Sequence, residues 1–319
     1  MKLLHPGHTA ARVLRLAGLV CTLLGPLAFA AGPPMRFVHP PPEAAGDNRH
    51  TYYWELLEAA LKATRRQYGD YVIESHPLPM SFQRAVAELE AGERGRINII
   101  ARATNLELEN KLRAIPLPLD KGLLGYRMFL ITGDTQARLD ARVRSLRDLK
   151  QFSIGQGSAW TDARILAEND FRLVLTENYE SLFQMVAAQR FDLFSRGVIE
   201  IEPEWRAHKD QIPGLMIEKH LLLAYPMPRY FFVSNTDEGR KMAERIEAGL
   251  RLIAKSGEFN RLYGRYKKNV LANVRLAGRT VFRLPNTQLS DKAPPPDDPF
   301  WWDNLAAELA PANRPGRGT

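Results

Sequence analysis

Ser145-Leu-Arg-Asp-Leu-Lys150, Phe152-Ser-Ile154, Gly155-Gln-Gly-Ser158, Thr161 to Asn169 and Arg172-Leu-Val-Leu175 run almost end to end through the middle of the chain. Ser145 caps a short helical turn, an apolar strand leads into a glycine-rich turn, and a helix and a second strand follow. Working outward, Tyr126 to Thr132 reads as a strand before this run, and Glu180 to Gln189 and Phe191-Asp-Leu-Phe194 as a helix and a strand after it. Nearer the N-terminus, Arg36-Phe-Val-His39, Tyr71-Val-Ile-Glu-Ser75 and Ile97-Asn-Ile-Ile-Ala101 are strands. A helix over His50 to Gln67 is read from Tyr53, Leu56, Leu57, Ala60 and Leu61, and Ser81 caps another that runs through Leu89. Strands alternating with helices predict an α/β chain with largely parallel sheets, in two sets.

The first thirty residues read as a secretory signal peptide. Lys2, Arg12 and Arg15 make the positive start, Leu16 to Leu27 is almost wholly apolar, and Ala28-Phe29-Ala30 is a small-x-small cleavage site. The apolar run falls short of the roughly 20 residues that span a bilayer. Cys21, the only cysteine, lies in that run; Val20 before it argues against lipid attachment. A mature chain without cysteine has no thiol nucleophile, disulfide or zinc-thiolate site, and suits an oxidising periplasm. The formal charge of +8 falls to +5 once those three cations are removed, because residues 1–30 contain no acid. Both signs are interleaved, which is the pattern of a solvated surface and not of a nucleic-acid stripe. The densest basic cluster, Arg261 to Lys268, is placed at a helix end.

Roughly 290 mature residues exceed one compact core, so two lobes are expected. Tyr230-Phe-Phe-Val233 and a long helix over Glu238 to Ser256 supply a last strand and helix. After Val270, Ala293-Pro-Pro-Pro-Asp-Asp-Pro299 and Phe300-Trp-Trp302 read as an irregular tail with docked aromatics.

Three segments in this order resemble the polar amino-acid type (family 3) of periplasmic solute-binding proteins: Ser145 to Lys150 with Phe152 to Ser158, Ser181 to Asp192, and Lys255 to Tyr263. The resemblance covers residues 36 to 268 and is closest to a divergent, poorly characterised subgroup. It implies a type II, Venus-flytrap fold of two α/β lobes. Lobe 1 would hold residues 31–122 and 224–268, lobe 2 residues 123–223, with the tail at 269–319 and hinge crossings near Gly122 to Tyr126 and Leu223 to Pro228. It further implies an extracytoplasmic monomer that takes a small polar or anionic solute into an interlobe cleft. The partner would be an ABC-transporter permease, or a membrane sensor in the signalling alternative. The sequence departs from the family at Ile115 to Tyr126, in the Pro-rich tail, and where a carboxylate-clamping arginine is usual: Lys111 and Arg113 are out of register.

The candidate ligand residues each carry two readings. Gln156, Gly157 and Ser158 offer backbone N–H groups at a helix start, or form a plain turn. Trp160 covers the ligand or belongs to the core. Thr104 contacts the ligand or caps a helix, and Arg102 reaches the cleft or solvent. Tyr53 stacks on the ligand, or it packs inward while its neighbour Trp54 turns elsewhere. Arg196 stands where ordinary members place a carboxylate for the ligand's ammonium, so it accepts an anion, or it pairs with Glu200 or Glu202. Glu200, Glu202 and Glu204 are read as a solvated loop face in preference to an acid-base set. No H-E-x-x-H, P-loop, G-x-G-x-x-G or G-x-S-x-G occurs, so neither a cofactor, a metal nor catalysis is expected. The surviving enzyme alternative is a lyase or dehydratase on the same scaffold, which requires a cleft carboxylate with a raised pKa.

Overall fold

The computed structural model describes residues 33–41 and 51–311. The expected signal peptide, with Cys21 and the Ala30 cleavage site, lies outside the described residues. Among these, no helix is long and apolar enough to cross a membrane.

The first part of the chain forms β1 (Met35–His39), α1 (Thr51–Ala63), α2 (Arg65–Tyr68), β2 (Tyr71–Ser75), α3 (Phe82–Glu90), β3 (Ile100–Ala103), α4 (Leu106–Lys111) and β4 (Arg113–Ile115). The middle forms β5 (Tyr126–Ile131), α5 (Thr135–Arg142), α6 (Leu146–Leu149), β6 (Ile154–Gly157), α7 (Thr161–Glu168) and β7 (Leu173–Thr176). It continues with α8 (Tyr179–Ala187), β8 (Leu193–Gly197), α9 (Ile201–His208), β9 (Met216–Ile217) and β10 (Leu221–Ala224). The last part adds β11 (Arg229–Val233), α10 (Asp237–Lys255), α11 (Glu258–Leu271), β12 (Thr280–Arg283) and α12 (Ala306–Leu309).

Three sheets organise these elements, two small ones side by side in the first lobe and one large one in the second. In the first lobe β1 pairs in parallel with β2, and β11 runs antiparallel between β3 and β4, with Tyr230 opposite Arg102. The N–H groups of Asn98 and Ile99 donate to the Val38 carbonyl and join the two pieces into one layer. The second lobe carries the order β12-β10-β5-β8-β6-β7, with β9 also on β5. Every residue of β5 is buried, as befits a strand covered on both faces. The chain passes from one lobe to the other after β4, after β10 and a third time before β12.

Local chemistry explains the elements. Ser145 and Asp148 close a full capping box at α6. Ser81 accepts from the Arg84 N–H and Thr236 from the Gly239 N–H, each satisfying a helix-start donor. Between them α1 and α10 bury Leu56, Leu57, Met242, Ile246 and Leu250, at about 2 kcal/mol for each large side chain.

Five sequence expectations change. Gly155, Gln156 and Gly157 are strand residues, opposite Val174, Leu175 and Thr176, because the parallel pairing of β6 with β7 extends through Gly157. Ser195, Arg196 and Gly197 likewise belong to β8, with Arg196 opposite Met128. Glu204 lies within α9, which Glu200 precedes as its N-cap; this is no solvated loop. The tail is not irregular throughout: β12 pairs in parallel with β10, because an open sheet edge offers it a full set of partners. The Arg261 to Lys268 cluster sits inside α11.

Candidate functional site: the facing walls of the two lobes

On the second lobe the site is built from arginines in apolar strands. Arg196, only 4% exposed, donates from Nε and Nη2 to the two carboxylate oxygens of Glu204, both at 2.5 Å. Its Nη2 also lies 3.2 Å from Glu200 Oε2, and its guanidinium sits 4.6 Å from the Trp160 ring centroid. Burial works against its charge, and Glu200 and Glu204 overcome this to hold the pKa above the ordinary value. On the neighbouring strand Arg127 pairs with Asp162 at 2.7 Å and reaches Glu200 at 3.6 Å. The Tyr225 hydroxyl donates to the same Asp162 oxygen at 2.5 Å.

The first lobe answers with Arg229, at the start of β11. Its guanidinium lies 4.8 Å from the Tyr53 ring centroid and donates to the Ala101 carbonyl at 3.2 Å. Tyr52 stacks on Tyr266 with centroids 4.0 Å apart, and Tyr53 shares a hydroxyl contact with Tyr266. Asp120 is fully enclosed beside them. Burial lifts its carboxyl to about 6, against the pull of Arg229 and the Gly122 N–H. Glu200 links the two walls electrostatically. Burial alone would raise its pKa, but Arg196, Arg127, the Gly197 N–H and Arg229 together bring it down to about 2. At the cleft mouth Asn105 of the first lobe donates to the Thr161 hydroxyl of the second at 3.1 Å. A pocket of about 220 Å³ opens there, lined by Asn105, Ser158, Trp160, Thr161, Arg164 and Gln288.

The residues expected at the site are spread around these features. Tyr53 is buried against Arg229, and Trp160 is half-buried over Gly157 and Arg196. Ser158 is exposed in the mouth pocket. Gln156 is fully buried, donating weakly to the Ser195 carbonyl at 3.4 Å, with Oε1 unpartnered. Gly157 is a strand residue whose added Cβ would stand 2.5 Å from the Trp160 ring. Its backbone is no helix-start donor, which corrects the turn reading. Thr104 donates to Glu109 at 2.5 Å, so its hydroxyl serves α4. Arg102 lies over the Phe82 ring at 5.3 Å, on the α3 side of the sheet. Arg196 is in the site, held by Glu204 through two bonds and by Glu200 at longer range; Glu202 pairs instead with Arg206.

Arg127, Arg229, Asp162 and Asp120 were not read from the sequence. The signal for the two arginines is that each stands alone in an otherwise apolar strand, Tyr126-Arg-Met-Phe-Leu-Ile131 and Arg229-Tyr-Phe-Phe-Val233, since a guanidinium is seldom buried unpaired; the aspartates carry no such signal. Among the described residues no group of His, Cys, Asp and Glu is placed to hold a metal ion.

No family model matches the chain, and no curated protein does. Solved structures do. A histidine kinase sensor domain with similarity to periplasmic binding proteins aligns with TM-score 0.50 at 15% identity, over 73% of this chain and 95% of that one. The fold is that of the periplasmic binding proteins. Other similar structures are an arginine-specific periplasmic binding protein of Salmonella typhimurium (13% identity, 72% and 98% coverage, TM-score 0.49) and the substrate-binding protein of an amino-acid ABC transporter (14%, 73% and 99%, 0.47). Within that fold Arg229 and Tyr53 of the first lobe stand towards Arg127, Arg196 and Glu200 of the second.

Proposed function

We propose that this protein is an extracytoplasmic solute-binding protein that captures a small polar or anionic solute between its lobes and delivers it to an ABC-transporter permease. Residues 31–122 with 224–268 form one lobe in this reading and residues 123–223 the other, with β12 added to the second. The carrying observation is that charged and aromatic side chains of both lobes meet on the facing walls of a binding-protein fold: Arg229 and Tyr53 from one, Arg127, Arg196 and Glu200 from the other. Tyr53, Gln156, Gly157, Ser158, Trp160 and Arg196 are the expected residues that lie at or beside the site in this reading.

The same fold serves a sensor domain, so a signalling partner in place of the permease is the second reading. The lyase alternative has one observation in its favour, the raised Asp120 carboxyl, but Asp120 has no exposed surface. A thermal-shift screen of the mature protein against amino acids, organic acids and short peptides tests the function. A ligand at 100 times its Kd adds about 2.7 kcal/mol to stability. A screen without a single stabilising solute overturns the solute-binding reading. Co-purification with a permease separates transport from sensing.

A further inference from the structure

The second lobe holds more carboxylates than its arginines need. Arg196 is satisfied by the two oxygens of Glu204, and Arg127 by Asp162. Glu200 is the additional acid. Its contacts are longer, 3.2 Å to Arg196 and 3.6 Å to Arg127, with one backbone bond from the Gly197 N–H at 3.0 Å. Its side chain is 17% exposed, where Arg127, Arg196, Asp162 and Glu204 are between 2% and 8%. Across the cleft Arg229 has no carboxylate within ion-pair distance among the described residues, and its Nε is buried without a partner. Two guanidinium groups thus touch one carboxylate that is less tightly held than its neighbours and partly exposed, and the field of Arg229 reaches it from the other lobe.

We infer that the space filled by the Glu200 carboxylate, between Arg196, Arg127 and Arg229, is a subsite for the carboxylate of a bound solute, and that Glu200 is a built-in occupant which the solute displaces. This rests on the solute-binding reading and names its substrate class: small molecules bearing a carboxylate. An anion entering this position meets the guanidinium groups of Arg196 and Arg127 and lies in the field of Arg229 from the other lobe, as Glu200 does in its place. On the second-lobe wall a zwitterion's ammonium meets carboxylates, Glu204 and Asp162, that are already paired with arginines.

The test uses Glu200→Ser, which keeps a residue suited to a helix N-cap, and Glu200→Gln, which fills the same volume without charge. Melting is measured in acetate, in equal chloride and in acetamide, each at about 100 mM, a range suited to weak single-group binding. Acetate should raise the melting temperature of E200S by about 2–4 °C over chloride. It should leave the wild type and E200Q unmoved, and acetamide should do nothing. Adding Arg229→Met to E200S should remove the response. Equal acetate responses in wild type and E200S, or none in E200S, overturn the inference. An E200S that melts cooperatively only in acetate supports it, and one that fails in both buffers overturns it. Acetate rescue with an empty solute screen would remove the transport reading and leave the subsite. A solute bound by the wild type with no acetate response in E200S would remove the subsite alone.

Discussion

Arg196 and Glu204 meet in a fork, Nε and Nη2 of the one on both oxygens of the other at 2.5 Å, beneath the Trp160 ring. The pair is buried, so neither partner can fall back on water. Arg196→Met leaves Glu204 and Glu200 with uncompensated charge and should cost about 3–5 kcal/mol in urea unfolding. Adding Glu204→Leu should restore most of that, since a well-packed apolar pair replaces a buried ion pair at little cost. A single variant as stable as wild type would show that the pair does not brace the second lobe.

Asp120 predicts an inverted pH dependence. Its folded pKa is raised from 3.8 to about 6, so between about pH 4 and 6 the native state keeps a proton that the unfolded chain has lost. Stability contributed by this group therefore falls as pH rises through that window, by up to about 3 kcal/mol. Glu200 has the opposite sign and a separate window, because its depressed pKa loses stability only as pH drops from about 4 towards 2. Urea titrations of Asp120→Asn should lack the slope between pH 4 and 6, and an unchanged slope would remove Asp120 as its source.

Gly157 has room for hydrogen only. A Cβ there would stand 2.5 Å from the Trp160 ring, which would have to leave the Arg196 guanidinium. Gly157→Ala should destabilise by about 1–3 kcal/mol and change the near-ultraviolet circular dichroism of the aromatic cluster. A wild-type spectrum with a wild-type melt would contradict the packing described.

The tail is pinned through Asp303, which accepts from the Tyr263 hydroxyl at 2.6 Å, from Lys267 at 2.7 Å and from the Leu305 N–H at 2.8 Å. The Tyr126 hydroxyl donates to its carbonyl, so the tail touches both the start of β5 and α11. Asp303→Ala should cost about 2–3 kcal/mol and hasten proteolysis of residues 284–311. Equal cleavage rates in variant and wild type would show that the strap is held elsewhere.

Much of the architecture is legible in the sequence. Local spacing revealed α1, α7 and α10, and the run from Ser145 to Leu175 announced an α/β layer, because capping and apolar periodicity act over a few residues. Strand ends were read too early at Ile154 and Phe194, since the limit of a strand is set by its neighbours. That error placed Gly155 to Gly157 in a turn and hid that Arg196 is a strand residue.

By itself the sequence determined the two α/β sets, the apolar strands and the resemblance to solute-binding proteins, all of which rest on patterns repeated along the chain. Tertiary structure alone decided which charges meet. Arg127 and Asp162 are 35 positions apart, and Arg229 faces Glu200 only because β11 returns to the first lobe while α9 stays with the second. The added strand β12 is of the same kind. A buried ion pair or an edge pairing depends on distance in space and on exclusion of water, and neither is written in the spacing of residues along a chain.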